Sequence, residues 1–182
     1  MKNILAGVVL LGLGLMTGAA NASLAVGTKA PDFDIKAAQG GKEFNFSLTD
    51  ALKKGPVVLY FFPAAFTAGC TIEAHDFAEA SDRFKAMGAT LIGVTAGNID
   101  RVTEFSVQEC RNKFAVAADG DQKVIKAYDV VLPKHPEYSN RTSFVIAPNH
   151  KIIFAYTNLQ PDNHVALTMQ AVEDWRDTHG HK

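Results

Sequence analysis

The chain carries two cysteines, and one of them, Cys70, stands where a thiol can be made reactive. It follows Thr67-Ala68-Gly69 where a continuous apolar run, Val57-Val58-Leu59-Tyr60-Phe61-Phe62, is stopped by Pro63 and helical spacing begins. A helix N-terminus presents free backbone N–H groups and a partial positive charge, and both favour thiolate over thiol. Only the thiolate is a useful nucleophile, whereas an ordinary cysteine, titrating near ~8.5, is mostly protonated at neutral pH. Thr67, three residues back, can aim a hydroxyl at the sulfur or at an oxygen bound beside it. Pro63 stiffens the strand end, limits the turn and shields a pocket there. On residue type alone Cys70 would be a small buried hydrophobe; its place in the turn allows the reactive reading.

A second constellation needs weighing. His75 lies one turn beyond Cys70 on the same expected helix, a Cys-x4-His spacing that suits a metal pair. Two ligands do not make a site. His135, His150, His164, His179 and His181 fall on expected loops or termini and read as surface or supporting groups. The chain has no His-Glu-x-x-His, no Gly-x-Ser-x-Gly, no phosphate-binding loop and no Cys-x-x-Cys. No metal and no organic cofactor is expected.

The elements that must hold Cys70 alternate. Val57–Phe62 reads as a central strand buried on both faces. Thr71–Met87 follows as a helix with Ile72, Phe77, Ala80, Phe84 and Met87 on its apolar face and Gly88 ending it. Thr90–Thr95 is the next strand, and Asn98 can cap a helix carrying Val102, Phe105 and Val107 towards Cys110. Phe114–Ala117 is a short strand, and Val124, Ile125 and Tyr128 suggest a short helix. Ser143–Ile146 and Lys151–Tyr156 form a hairpin around Pro148. Asp162 or Asn163 opens a last helix with Val165, Met169, Val172 and Trp175 on one face. This order makes an α/β sandwich with a mixed sheet, compatible with a thioredoxin-like fold although the pattern alone does not choose it.

Composition narrows the class. With 182 residues, 47% of them apolar, the chain suits one domain and argues against disorder. A net charge of −1 leaves no basic footprint for nucleic acid or for an anionic membrane. Two cysteines are too few for a disulfide-dense framework or a four-thiolate zinc site. Lys2, the apolar run Ile4–Met16 and Ala20-Asn21-Ala22 read as a secretory signal cleaved after Ala22. As a helix that run rises only about 20 Å, short of a ~30 Å bilayer core, so stable membrane insertion is not expected. Residues 1–22 are thus expected to be removed and 23–182 to form one exported domain, periplasmic, where a cysteine pair persists as a disulfide.

Pro63-x-x-x-Thr67-x-x-Cys70 directly after a buried strand resembles the signature of peroxiredoxins, thiol peroxidases of the thioredoxin superfamily. Ala30-Pro31-Asp32-Phe33 resembles the family's opening, and Arg141-Thr142-Ser143-Phe144-Val145-Ile146 its arginine-bearing strand. Asn163-His164 is similar to the start of the terminal helix in the Q-type, bacterioferritin-comigratory branch. The resemblance spans roughly Ala25 to Trp175 and implies a thioredoxin-like fold, a central mixed sheet flanked by helices. It implies that Cys70 attacks a hydroperoxide and becomes a sulfenic acid. Thr67 would then bond the sulfur and the peroxide, Arg141 would favour the thiolate and the leaving oxygen, and Pro63 would cover the site. Without the motif, an Arg at the start of an apolar strand would read as a surface charge.

Two positions depart from the pattern. Ala68 stands where the family usually has proline, and His75 stands where many Q-type members carry the resolving cysteine. That leaves Cys110 as the candidate, against a one-cysteine enzyme with an inert Cys110. The implied activity is reduction of hydrogen peroxide and small organic hydroperoxides by an external, thioredoxin-like thiol, in a monomer or weak dimer. The rivals are a thiol–disulfide oxidoreductase of the same fold and a Cys/His metal-delivery protein.

Overall fold

Alternation along one strand divides the core in two. In β3 (Val57–Phe61), Val57, Leu59 and Phe61 point to one side of the sheet, while Val58 and Tyr60, with Phe62 after them, point to the other. The computed structural model describes residues 23–179, so the expected export signal over residues 1–22 lies outside the described residues. All five residues of β3 are buried, as a central strand with helices on both faces requires.

The chain first forms a hairpin, β1 (Asp34–Gln39) and β2 (Lys42–Ser47), then α1 (Leu48–Leu52) before β3. After β3 come α2 (Ala68–Ala86), β4 (Thr90–Thr95), α3 (Ile99–Gln108), β5 (Ala115–Ala118) and α4 (Lys123–Ala127). A second hairpin, β6 (Thr142–Ile146) and β7 (Ile152–Thr157), leads to α5 (His164–His179). The seven strands lie in the order β2-β1-β5-β4-β3-β6-β7. β3, β4 and β5 are parallel neighbours, and the remaining pairings are antiparallel. Apolar residues of α1 and α4 pack on one face; those of α2, α3 and α5 pack on the other. This is the mixed α/β sandwich expected from the sequence.

The hairpin β1–β2 and the short α1 were not among the expected elements. β2 is an edge strand with little burial, so its hydrophobic signal is weak. The Gly40-Gly41 pair nonetheless marks the turn: both residues have positive φ, 57° and 77°, as a two-residue hairpin loop demands. Asn98 caps α3 as expected, its side chain accepting from the Arg101 N–H at 2.9 Å.

Helix α2 starts three residues before the expected Thr71, with Thr67 as the N-cap residue. Its buried face runs through Cys70, Ala74, Phe77, Ala78, Ser81 and Phe84, and it includes Glu73. Ile72, expected on that face, is 50% exposed, because the helix turns it away once Cys70 and Ala74 point inward. Val107 is likewise outward on α3, where Val102, Phe105 and Ser106 set the buried face.

Candidate active site

Register delivers the site's cation. In the antiparallel pairing of β3 with β6, Phe61 lies opposite Thr142. Arg141, one residue before Thr142, therefore arrives beside the end of β3, where the chain turns through Pro63 into α2. Ser139 fixes that end by donating to the Phe62 carbonyl at 2.7 Å, and Thr95 donates to the Pro63 carbonyl at 3.2 Å.

Cys70 is the third residue of α2 and is 1% exposed. The Arg141 guanidinium, 4% exposed, donates through Nη2 to the Cys70 sulfur at 3.3 Å. Gly69 helps, since a Cβ there would sit 3.2 Å from that same Nη2. A buried guanidinium binds a sulfur anion more strongly than a neutral thiol, and the first turn of α2 adds its positive end. Arg141 is itself held: Nε donates to the Leu159 carbonyl at 2.9 Å and Nη1 donates to Glu73 Oε2. Burial opposes its charge, but Glu73 and Cys70 outweigh that and hold its pKa above the ordinary value.

The expected hydrogen bond from Thr67 to the sulfur is not formed. The hydroxyl donates instead to the Ala64 carbonyl at 3.1 Å, closing the loop between Pro63 and the helix. Phe66 within that loop has φ 65°, unusual for a bulky residue. Its ring meets Phe105 edge-on with centroids 5.2 Å apart, and Arg101 lies 4.0 Å over its face.

Two buried groups complete the site, and neither was expected there. Glu73 is wholly buried one turn after Cys70, and burial pushes its carboxyl up to about 8, with Arg141 opposing. An acidic residue at the third position after Cys70, on the face shared with Ala74 and Phe77, was the available signal. His164, expected on a surface terminus, is also wholly buried, with Nδ1 3.7 Å from Glu73 Oε1. Its Nε2 faces the Asn158 carbonyl at 2.9 Å, which can only accept, so Nε2 carries the proton. Nδ1 is then free to accept from the Ser143 hydroxyl at 2.8 Å. Burial lowers the His164 pKa to about 4, keeping the ring neutral.

Cys110 lies just past α3, after its C-cap residue Glu109, and is wholly buried. Burial pushes its thiol well above the ordinary value and Glu109 adds to this. The next two residues, Arg111 and Asn112, both have positive φ, 51° and 61°. Cys70 and Cys110 are both free thiols in one apolar cluster between α2, α3 and the sheet. His75 does not act as a partner to Cys70 here: its Nε2 meets Glu109 Oε2 at 2.8 Å. Among the described residues, no three His, Cys, Asp or Glu side chains group as a metal site.

Residues 26–155 match the AhpC/TSA family. Peroxiredoxin Bcp of Bacillus subtilis is 31% identical over 157 residues, covering 84% of this chain and 97% of that one. A putative peroxiredoxin bcp of Helicobacter pylori is 31% identical over 154 residues, covering 82% of this chain and 98% of that one. The crystal structure of peroxidoxin BcpB from Mycobacterium tuberculosis superposes with a TM-score of 0.73 at 25% identity, covering 82% of this chain and 96% of that one. The fold is thioredoxin-like, as expected.

Proposed function

The chain belongs to the AhpC/TSA family and is a thiol peroxidase, and from that premise we propose that Cys70 is its peroxidatic cysteine and Cys110 its resolving cysteine. The carrying observation is the Arg141 Nη2 hydrogen bond to the Cys70 sulfur in the first turn of α2.

The Cys70 thiolate attacks the terminal oxygen of a hydroperoxide. The O–O bond breaks, Cys70 becomes a sulfenic acid, and the leaving oxygen takes a proton to depart as water or an alcohol. Arg141 stabilises first the thiolate and then the charge on the departing oxygen. Glu73 and the Leu159 carbonyl hold the guanidinium with its Nη2 edge towards the sulfur, and His164 stands behind Glu73. Pro63 covers the turn, and Thr67, freed from Ala64, bonds the incoming peroxide. The Cys110 sulfur then displaces hydroxide from the sulfenic acid, and an external thiol, of thioredoxin type, reduces the resulting disulfide. Both sulfurs are buried and unlinked, and in this reading the first turn of α2 and the turn after Glu109 open for them to join.

We further propose that residues 1–22 direct export and are removed, so that the enzyme works in the periplasm as a monomer or weak dimer. A peroxide-consumption assay with a generic thiol reductant tests the reading against its rivals, because only a peroxidase turns over. The expected result is catalytic peroxide loss that depends on Cys70. Disulfide exchange without peroxide consumption would point to the oxidoreductase reading, and stoichiometric metal binding through Cys70 and His75 to the delivery reading.

A further inference from the structure

One buried group on the Cys70 side of the sheet has no part in peroxide reduction. Tyr60 of β3 is 1% exposed and shares the apolar cluster that holds both cysteines. Its ring stacks on Phe77 with centroids 4.4 Å apart and on Phe62 at 5.4 Å, and meets Phe114 edge-on at 6.0 Å. It also lies across Gly93, its pairing neighbour on β4. A Cβ at that position would come within 2.7 Å of the ring and 2.8 Å of the hydroxyl, so this phenol depends on glycine there.

The hydroxyl has no hydrogen-bond partner among the described residues. Burying an unpaired donor is costly, and phenylalanine would fill the same space without that cost. Among the described residues the other unpartnered buried side-chain atoms are Glu73 Oε1, Asn140 Oδ1 and His150 Nδ1. Asn140 Oδ1 only accepts, His150 belongs to the β6–β7 turn, and Glu73 Oε1 is turned towards His164 Nδ1 at 3.7 Å. Tyr60 is therefore an unspent donor of this core, and the one that lies outside the Arg141 and His164 group. Burial raises its pKa, and Cys110, then Glu73 and Cys70, raise it further against Arg141. The phenol stays protonated and shares one buried cluster with both sulfurs.

Resolution needs such a donor. Cys110 must ionise to attack, yet burial and Glu109 hold it as a thiol. Charged groups face its turn from α2 in three pairs: His75 with Glu109, Glu79 with Arg111, and Asp82 with Lys113. Each is already matched. From β3 the polar group on this side is Tyr60.

We propose that the Tyr60 hydroxyl donates a hydrogen bond to the Cys110 thiolate as it attacks the Cys70 sulfenic acid, speeding disulfide formation without acting on peroxide. The proposal rests on Cys110 being the resolving cysteine. Cys110 gives up its proton, its sulfur bonds Cys70 Sγ, and the S–O bond breaks with its electron pair on oxygen. The departing hydroxide takes up one proton and leaves as water. Cys110 is oxidised, the sulfenic sulfur is reduced to the disulfide level, and Tyr60 keeps its own proton.

The test is Tyr60→Phe in the whole protein, which keeps the ring and its stacking. Rapid mixing with one equivalent of hydrogen peroxide, followed by acid quench and intact mass, separates sulfenic acid formation from disulfide formation. The variant should form the sulfenic acid at the wild-type rate and close the disulfide about 10- to 100-fold more slowly. The pH midpoint of disulfide closure should also move upward, because the thiolate has lost its donor. Closure within about twofold of wild type overturns the proposal. So does a slowing with an unmoved pH profile, the mark of a packing defect. If wild type itself forms no disulfide, the Cys110 assignment fails and takes this proposal with it; a normal wild-type disulfide with an unaffected variant overturns Tyr60 alone.

Discussion

Arg141 Nη2 donates to Cys70 Sγ at 3.3 Å from a position 71 residues later in the chain. The β3–β6 register brings the two together, so the cation is fixed by the sheet and not by a loop. A donor held this rigidly needs no reorganisation as charge moves from sulfur to the leaving oxygen. Arg141→Met should therefore slow the reaction of Cys70 with peroxide by about 10²–10³. Cys70→Ser should abolish it while leaving the fold intact, since serine does not ionise usefully at neutral pH. Stopped-flow peroxide reaction and circular dichroism of both variants check this, and near-wild-type rates in either would sink the site assignment.

Glu73 and Arg141 form a buried pair, and removing one leaves the other without its hydrogen-bond partner. Glu73→Met should cost about 1–3 kcal/mol of stability, because the buried Arg141 guanidinium loses a hydrogen-bond acceptor in a dry site. Removing both partners, with Glu73→Met and Arg141→Met together, should restore most of that stability and none of the activity. Urea denaturation of the two singles and the double closes the cycle; simple additivity would show that the pair is not coupled.

What the sequence revealed, and what it did not, divides along physical lines. The position of Cys70 in the first turn of α2 was legible because it depends on a local pattern: a buried strand, a proline stop and a helix start. Arg141 was legible only through the family resemblance, since its burial depends on strand register across a long sequence separation. Glu73 and His164 were missed because a polar residue reveals an inward orientation only when its neighbours are in place. Thr67 was expected to serve the sulfur, but a carbonyl three residues back competes for its hydroxyl. The first hairpin was missed on its exposed, charged edge strand, although Gly40-Gly41 announced its turn.

His164 makes stability depend on acidity. Its pKa falls from 6.5 to about 4 on folding because burial disfavours the charged ring. Between those values the unfolded chain binds the proton and the folded one refuses it. The contribution is thus complete above about pH 6.5 and is lost as pH falls towards 4, up to about 3 kcal/mol. Glu73 acts with opposite sign: its raised pKa removes stability as pH climbs from 4.5 towards 8. Unfolding free energies of wild type and His164→Gln at pH 7 and pH 4.5 separate the two. The variant should be weaker at pH 7 and lose less on acidification; an equal loss in both proteins would clear His164 of this role.

Export gives the simplest measurement. If residues 1–22 form a cleaved secretory signal, protein purified from the native host should begin at Ser23 and fractionate outside the cytoplasm. An intact Met1 on the native protein would refute it.

Resolution provides the last test. Cys70 has to stay in its pocket, against Arg141, to meet peroxide, while Cys110 is buried beyond the end of α3. A disulfide needs Cα atoms about 4.4–6.8 Å apart, and both segments are expected to give way as the sulfurs join. The turn after Cys110 is suited to this, with two successive non-glycine residues at positive φ. Stoichiometric peroxide should therefore yield a monomer about two mass units lighter with no free thiol, and amide exchange should rise in the first turn of α2 and around Cys110. Cys110→Ser should consume one equivalent of peroxide, then stall or over-oxidise at Cys70 unless a small thiol stands in for the missing sulfur. Normal turnover of that variant with a protein reductant, or a stable sulfenic acid in wild type, would mean that Cys110 is a bystander and Cys70 works alone.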